Sequence, residues 1–351
     1  NVPLTGFAAA DGQSALHGAE LAVKQVNGSG GVNGKMLELV VYDDQASPKE
    51  SAPLAVKMIT KDGVVAGISG SYSGATRAAA TIFAESKVPY ISAYAIHPDI
   101  TRAGDYVFRT SFMGEVQGRA GAKLIGEMLG KKRVVMVTLN NDFGKSLAAG
   151  FKEQAKNFGI NVVAEYDYSI KDREFGPIIS KIKADKPDAI YASGYFFTAG
   201  PMVSQIRAAG LSQPIIGQEG YDSQKFIEIA GKASEGVMIT TSLDRDSSSP
   251  ETKDFISGFA KKAGYPADMV AASGHTALLV VADALKRAGS NDASALRDAI
   301  SKTSLSASTG KISFNGLGEV QKDVQVQVVK DGNWRHHSVI SDAVLLAPPS
   351  K

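Results

Sequence analysis

Gly67-Ile68-Ser69-Gly70-Ser71-Tyr72-Ser73-Gly74-Ala75-Thr76 is the stretch whose reading decides the fold. The apolar run Val64-Val65-Ala66 precedes it and reads as a buried strand; an alanine-rich segment from Arg77 to Phe83 follows and reads as a helix. A Gly/Ser turn between strand and helix aims backbone N–H groups and hydroxyls at one spot, at the positive end of the helix dipole. Two readings of Ser69, Ser71, Ser73 and Thr76 are open at this point: an anion cradle, or ordinary helix capping, for which Ser and Thr are favoured whatever the function. The turn is not a phosphate loop, since no lysine follows its glycines, and no G-x-G-x-x-G follows the first strand.

Working outward, residues 3–12 read as a loop and Ser14 to Asn27 as a helix stopped by Gly28-Ser29-Gly30-Gly31. Leu37 to Tyr42 reads as a strand, Pro48 opens the next helix, and Tyr90-Ile91-Ser92 is a strand followed by the loop 93–98. This βαβαβ order predicts a parallel, doubly wound sheet. Val107 to Thr110 is a further short strand, with a change of register at Gly114 to Gly118.

A second α/β series then runs through strands 134–139, 162–166, 189–192, 215–216 and 237–241, with helices between them. After the serine-rich crossing 244–250 come helices 251–263 and 268–288, then hairpin-like strands around 312–314 and 324–329. Helices alone after residue 250 would have no sheet to cover, so this segment is expected to return to the first lobe.

With 351 residues the chain is long enough for two domains, and 44% hydrophobic against 21% charged residues marks it as globular. A formal charge of +2 without a Lys/Arg cluster gives no footprint for nucleic acid. Apolar runs such as 276–282 are far short of a membrane span. The absence of cysteine excludes disulfides and thiol chemistry. His17, His97, His275, His336 and His337 are not spaced for a metal, His336-His337 reads as a solvated tail, and no nucleophile–base–orienter set is present, so neither cofactor nor metal is expected. The start at Asn1-Val2-Pro3 leaves little room for a first strand, which predicts residues upstream of Asn1.

Glu219 follows a strand within Gly217-Gln218-Glu219-Gly220, where a carboxylate accepts an ammonium group or is simply a solvated loop charge. Tyr72, Tyr94, Phe143, Tyr195, Phe196 and Tyr221 gather at strand-end loops, either lining a small-molecule pocket or packing beneath the loops.

The ordered set of segments Pro3 to Gly6, Asn27 to Lys35, Tyr42-Asp43-Asp44, Gly70 to Thr76, Ile91 to Pro98, Phe108-Arg109-Thr110, Asp142-Phe143-Gly144, Gly194-Tyr195 and Gly217 to Gly220 resembles the periplasmic solute-binding proteins of ABC importers, of the branched-chain amino-acid type. The resemblance spans nearly the whole chain. It implies two Rossmann-like α/β lobes with parallel sheets joined by a three-crossing hinge: 1–116 with 247–322 as lobe 1, 117–246 with 323–351 as lobe 2. It implies an amino acid captured between the lobes by hinge closure and delivered to a membrane permease, by a protein that is not an enzyme, is a monomer, and is periplasmic or lipid-anchored outside the cell after removal of a signal peptide. Ser73 with backbone at Ala95 is the implied carboxylate grip; Tyr195 and Glu219 are the implied ammonium grip. Tyr72, Tyr94 and Phe143 complete the implied wall.

The chain departs from the family pattern at Ile96, Asp11 and His275, where a threonine, a tryptophan and a tyrosine are usual. Polar Asp11 and His275 in an alkyl wall argue against plain leucine, and favour a polar or cationic side chain or a different small carboxylate. The alternative functions are transport of a non-amino carboxylate such as an aromatic acid, or ligand sensing.

Overall fold

The computed structural model describes residues 1–350. They form two compact units: Asn1–Met113 with Ser248–Lys322 and the residues from Pro348 on, and Gly114–Ser247 with Asp323–Ala347. The chain therefore passes between units after residues 113, 247, 322 and 347. The last passage carries the final residues back to the first unit.

In the first unit β1 (Gly67–Ser69), β2 (Tyr90–Ser92) and β3 (Val107–Arg109) form a parallel sheet in that order. Helices α1 (Ala9–Gly28), α2 (Pro48–Thr60) and α3 (Ser73–Glu85) come from its first segment; α9 (Pro250–Ala263), α10 (Met269–Ala288) and α11 (Ala293–Ser301) come from the later one. Ala55 and Met58 of α2, Ala79, Ala80 and Phe83 of α3, and Tyr90 of β2 close one core, with Phe83 stacked on Tyr90 at 4.6 Å. Helices α1 and α10 meet backbone to backbone at glycines: a Cβ on Gly18 would lie 2.0 Å from the Ala271 carbonyl oxygen, and one on Gly274 2.5 Å from that of Ala15. Helix α10 is apolar and long enough to match a membrane span, which the short runs in its sequence did not suggest. It is instead a core helix, 83% of its most apolar window being buried.

The second unit is built on seven strands in the order β12-β11-β8-β7-β6-β4-β5. They are β4 (Arg133–Leu139), β5 (Asn161–Tyr168), β6 (Ala189–Ala192), β7 (Ile215–Gln218), β8 (Met238–Thr241), β11 (Val324–Lys330) and β12 (Asn333–Ile340). The five earlier strands are parallel, and β11 and β12 add an antiparallel edge. Helices α4 (Gly114–Lys123) and α5 (Asp142–Ala155) pack together, and Tyr191 of β6 lies over Gly121 and stacks on Phe151 at 4.3 Å.

Several sequence expectations are corrected. Residues 3–12 are not all loop: α1 begins at Ala9, so Asp11 stands in its first helical turn. Leu37 to Tyr42 is extended but forms no ladder. Among the described residues, the bridge nearest to it joins Val2 to Asp43, and the Val2 N–H donates to the Tyr42 carbonyl at 3.1 Å. Residues 39–41 and 64–68 are otherwise separated by an apolar cavity of about 270 Å³. The segment 114–118 begins α4 rather than a register change. The strands near 312 and 324 do not pair with each other: Gly310–Ile312 pairs with Leu305–Ala307, and β11 pairs with β8 and β12. Finally, His336 and His337 are no tail. They lie within β12, where the His336 N–H donates to Asp246 at 2.9 Å.

Candidate functional site

The Ser/Gly turn after β1 leads directly into α3, whose first residue is Ser73. Its hydroxyls divide into two groups. Ser69 and Thr76 bond each other at 2.7 Å, Thr76 also donates to the Ser71 carbonyl, and Ser71 donates to Asp44 at 2.8 Å. Those three are buried struts, so the broader reading of a four-hydroxyl cradle narrows. Ser73 Oγ accepts the Ile96 N–H at 3.3 Å. A hydroxyl that accepts one bond keeps its own hydrogen for a further acceptor.

Asp43 and Asp44, adjacent at the end of an extended segment, serve opposite sides. Asp43 accepts the Leu4 and Gln45 N–H groups and the Thr5 hydroxyl; Asp44 accepts from Asn1, Ala46 and Ser71. This is turn and loop capping rather than metal chemistry. Among the described residues no group of three or more His, Asp or Glu is placed to hold a metal ion.

Around Ser73 the first unit gathers most of the residues expected there. Tyr72 donates its hydroxyl to buried Asp11 at 2.7 Å, and its ring meets Tyr94 edge-on at 6.5 Å. Tyr94 in turn donates to the Gly70 carbonyl at 2.8 Å. Ile96 has its side chain fully buried and its N–H on Ser73, and the Ala95 carbonyl is taken by Ser92 and Arg109. The structure thus joins Asp11, Tyr72, Ser73, Tyr94, Ala95 and Ile96 at the ends of β1 and β2.

His275 does not join them. Its ring bonds Gln25 at 2.7 Å and packs on Phe255 at 4.9 Å. Gln25 lies fourteen residues along α1 from Asp11, about 21 Å at ~1.5 Å per residue. Burial pushes the ring's pKa down to about 4, so it is a neutral packing residue between helices.

The second unit brings together Phe143, Tyr195 and Glu219. Tyr195 caps α7 (Phe196–Ala208), its N–H donating to Thr198 Oγ1 at 3.1 Å. Its ring stacks on Phe143 at 4.7 Å and on Phe197 at 5.7 Å. Glu219 opens a tight turn directly after β7 and is buried. The two loops are in van der Waals contact: a Cβ on Gly220 would lie 2.1 Å from the Gly194 carbonyl oxygen and 3.1 Å from the Phe143 ring. Beneath them Tyr168 donates to the Ser193 carbonyl at 2.7 Å, and burial raises its pKa, so the phenol stays a donor. Tyr168 and Phe197 were not singled out from sequence. Tyr168 is the last residue of β5 and Phe197 adjoins the aromatic pair 195–196, so both carry the strand-end aromatic signal.

The chain as a whole is similar to known proteins. The family model described as periplasmic binding protein matches residues 1–333. The leucine-, isoleucine-, valine-, threonine- and alanine-binding protein of Pseudomonas aeruginosa is 30% identical over 322 residues, covering 91% of this chain and 85% of that one. Among solved structures, the branched-chain amino-acid transporter substrate-binding protein LivJ of Streptococcus pneumoniae, in complex with isoleucine, is 28% identical with a TM-score of 0.90, covering 96% of this chain and 97% of that one. A solute-binding protein from R. palustris in complex with benzoate is 26% identical with a TM-score of 0.88, covering 96% and 94%. With the family model matching nearly its full length, the chain belongs to the periplasmic binding protein family.

Proposed function

We propose that this protein is the extracytoplasmic solute-binding component of an ABC importer, resident in the periplasm or anchored outside the membrane, and that its ligand is a small α-amino acid. The observation that carries this reading is the pairing of chemistries on the two units. The first offers the Ser73 hydroxyl at the N-terminus of α3, suited to a carboxylate. The second offers buried Glu219 beside Tyr195, suited to an ammonium. A zwitterion carries a partner for each, a carboxylate for Ser73 and an ammonium for Glu219, and the liganded form is what a permease would recognise. No catalytic step is assigned to these residues.

Isothermal titration against the common amino acids tests the proposal. Wild type is expected to bind at least one of them, and Glu219→Gln to lose at least ~10-fold in affinity, since hydrogen bonds to charged groups contribute about 1.5–3 kcal/mol. Unchanged affinity in the variant would sink the assignment of Glu219.

A second reading is transport of an aromatic carboxylate. The stack Phe143–Tyr195–Phe197 favours it, and a relative of similar fold was crystallised with benzoate. A thermal-shift panel of amino acids against benzoates separates the two. Against this reading, Glu219 would repel an anion with no cationic group to meet it.

A further inference from the structure

The first unit contains a fully buried ion pair that the proposed site does not itself use. Arg109, at the end of β3, meets Glu319 through a fork, Nη2 to Oε1 at 2.6 Å and Nε to Oε2 at 3.0 Å. Thr101 donates a short hydrogen bond to the same carboxylate, and the Arg109 N–H donates to the Gly318 carbonyl at 2.9 Å. The remaining arm of the guanidinium, Nη1, donates to the carbonyls of Ala95 and His97, each at 3.0 Å.

A buried ion pair is weak evidence for stability, because well-packed apolar residues often serve as well. Apolar residues, however, have no donor with which to orient two loop carbonyls. The peptide between Ala95 and Ile96 is trans, like every described peptide bond, so its C=O and N–H point in opposite directions. Its oxygen accepts from Arg109 Nη1 and from Ser92 Oγ, each at 3.0 Å, and its N–H is on Ser73 Oγ. The Arg109 side chain, with Ser92 beside it, therefore holds this peptide facing one way, and Arg109 alone ties it to the His97 carbonyl as well. In the observed orientation Ser73 accepts from the loop and its hydroxyl hydrogen is left for an outside acceptor. With the peptide turned over, the Ala95 carbonyl would compete for that hydrogen.

We infer that Arg109 and Glu319 are positioning residues that hold the 95–96 peptide in the orientation that makes Ser73 a hydrogen-bond donor to the ligand's carboxylate. Glu319 stands three residues before the passage between units at 322/323, so the segment that leaves the first unit also sets the ligand loop. The inference rests on the proposed binding role of Ser73 and deepens it.

The test is a double-mutant cycle. Arg109→Met and the shape-conserving Glu319→Gln are made in wild-type and Ser73→Ala backgrounds. Affinity for whichever amino acid wild type binds is measured by isothermal titration, and melting curves check that each variant folds. Each variant is expected to weaken binding at least ~10-fold in wild type and no more than ~2-fold beside Ser73→Ala. Equal losses in both backgrounds, or no loss, overturn the inference. A second readout needs no ligand: amide hydrogen exchange at Ile96 in the unliganded protein. Faster exchange in Glu319→Gln, with exchange at Phe83 unchanged, supports the positioning role; unchanged exchange at Ile96 overturns it. If wild type binds no amino acid, the proposed function fails, and the Ile96 readout still decides this inference.

Discussion

Replacing His275 by leucine should flatten part of the acid sensitivity of this protein. The ring donates from Nε2 to Gln25 and is packed against Phe255, and burial pushes its pKa from 6.5 to about 4. Between those two values the unfolded chain takes up a proton that the native ring refuses. The stabilising contribution is therefore complete above pH 6.5 and falls as pH drops toward 4. At about 1.4 kcal/mol per pH unit, that gap amounts to about 3 kcal/mol, of which roughly 2–3 kcal/mol is already lost at pH 4.5. Leucine occupies a similar volume and does not titrate, and exposed Gln25 returns to water. Urea unfolding of both proteins from pH 7.5 to 4.5 measures the difference, which removes the carboxylates common to both. Wild type should lose roughly 2–3 kcal/mol more than the variant. An NMR titration of the His275 ring checks the cause directly. A ring that titrates near 6.5, with parallel stability curves, would falsify the argument.

Three further outcomes are expected. Ser71→Ala removes a buried hydroxyl donor to Asp44 and should cost about 1–3 kcal/mol in unfolding measurements, leaving ligand affinity within ~2-fold, because Ser71 is a strut rather than a contact. Gly220→Ala places a methyl against the Gly194 carbonyl and must part the Tyr195 and Glu219 loops; affinity by titration should fall at least ~10-fold, and wild-type affinity would contradict the geometry. Phe143→Ala removes the ring stacked on Tyr195, and should lower both melting temperature and affinity, the lost pair contributing about 0.5–1.5 kcal/mol beyond its buried area.

Much of the architecture was written in local pattern. Short apolar runs alternating with alanine- and leucine-bearing helices give parallel α/β units, because crossovers between parallel strands admit that solution. The turn 67–76 announced a strand-to-helix loop with hydroxyls at a helix start. Glu219 and Tyr195 were legible because each stands in the turn that follows a buried strand, Glu219 directly after β7 and Tyr195 three residues past β6. Local pattern suggested a strand at Leu37 to Tyr42, which is extended but not laddered among the described residues. It misled at His336 and His337, since β12 is an edge strand whose polar residues meet Asp244 and Asp246 from a distant segment.

The sequence by itself determined the fold class, most of the order of elements, and which strand-end loops carry polar groups. Only the tertiary structure decided which of those groups are spoken for. Ser69, Ser71 and Thr76 spend their hydroxyls inside the first unit, while Ser73 accepts from Ile96 and keeps its hydrogen. His275 lies along α1 from Asp11 rather than beside it, and Arg109 reaches Glu319 across 210 residues to orient the loop on Ser73. A hydrogen-bond donor is defined by its partners in space, and partners so far apart in the chain leave no mark in the spacing of residues.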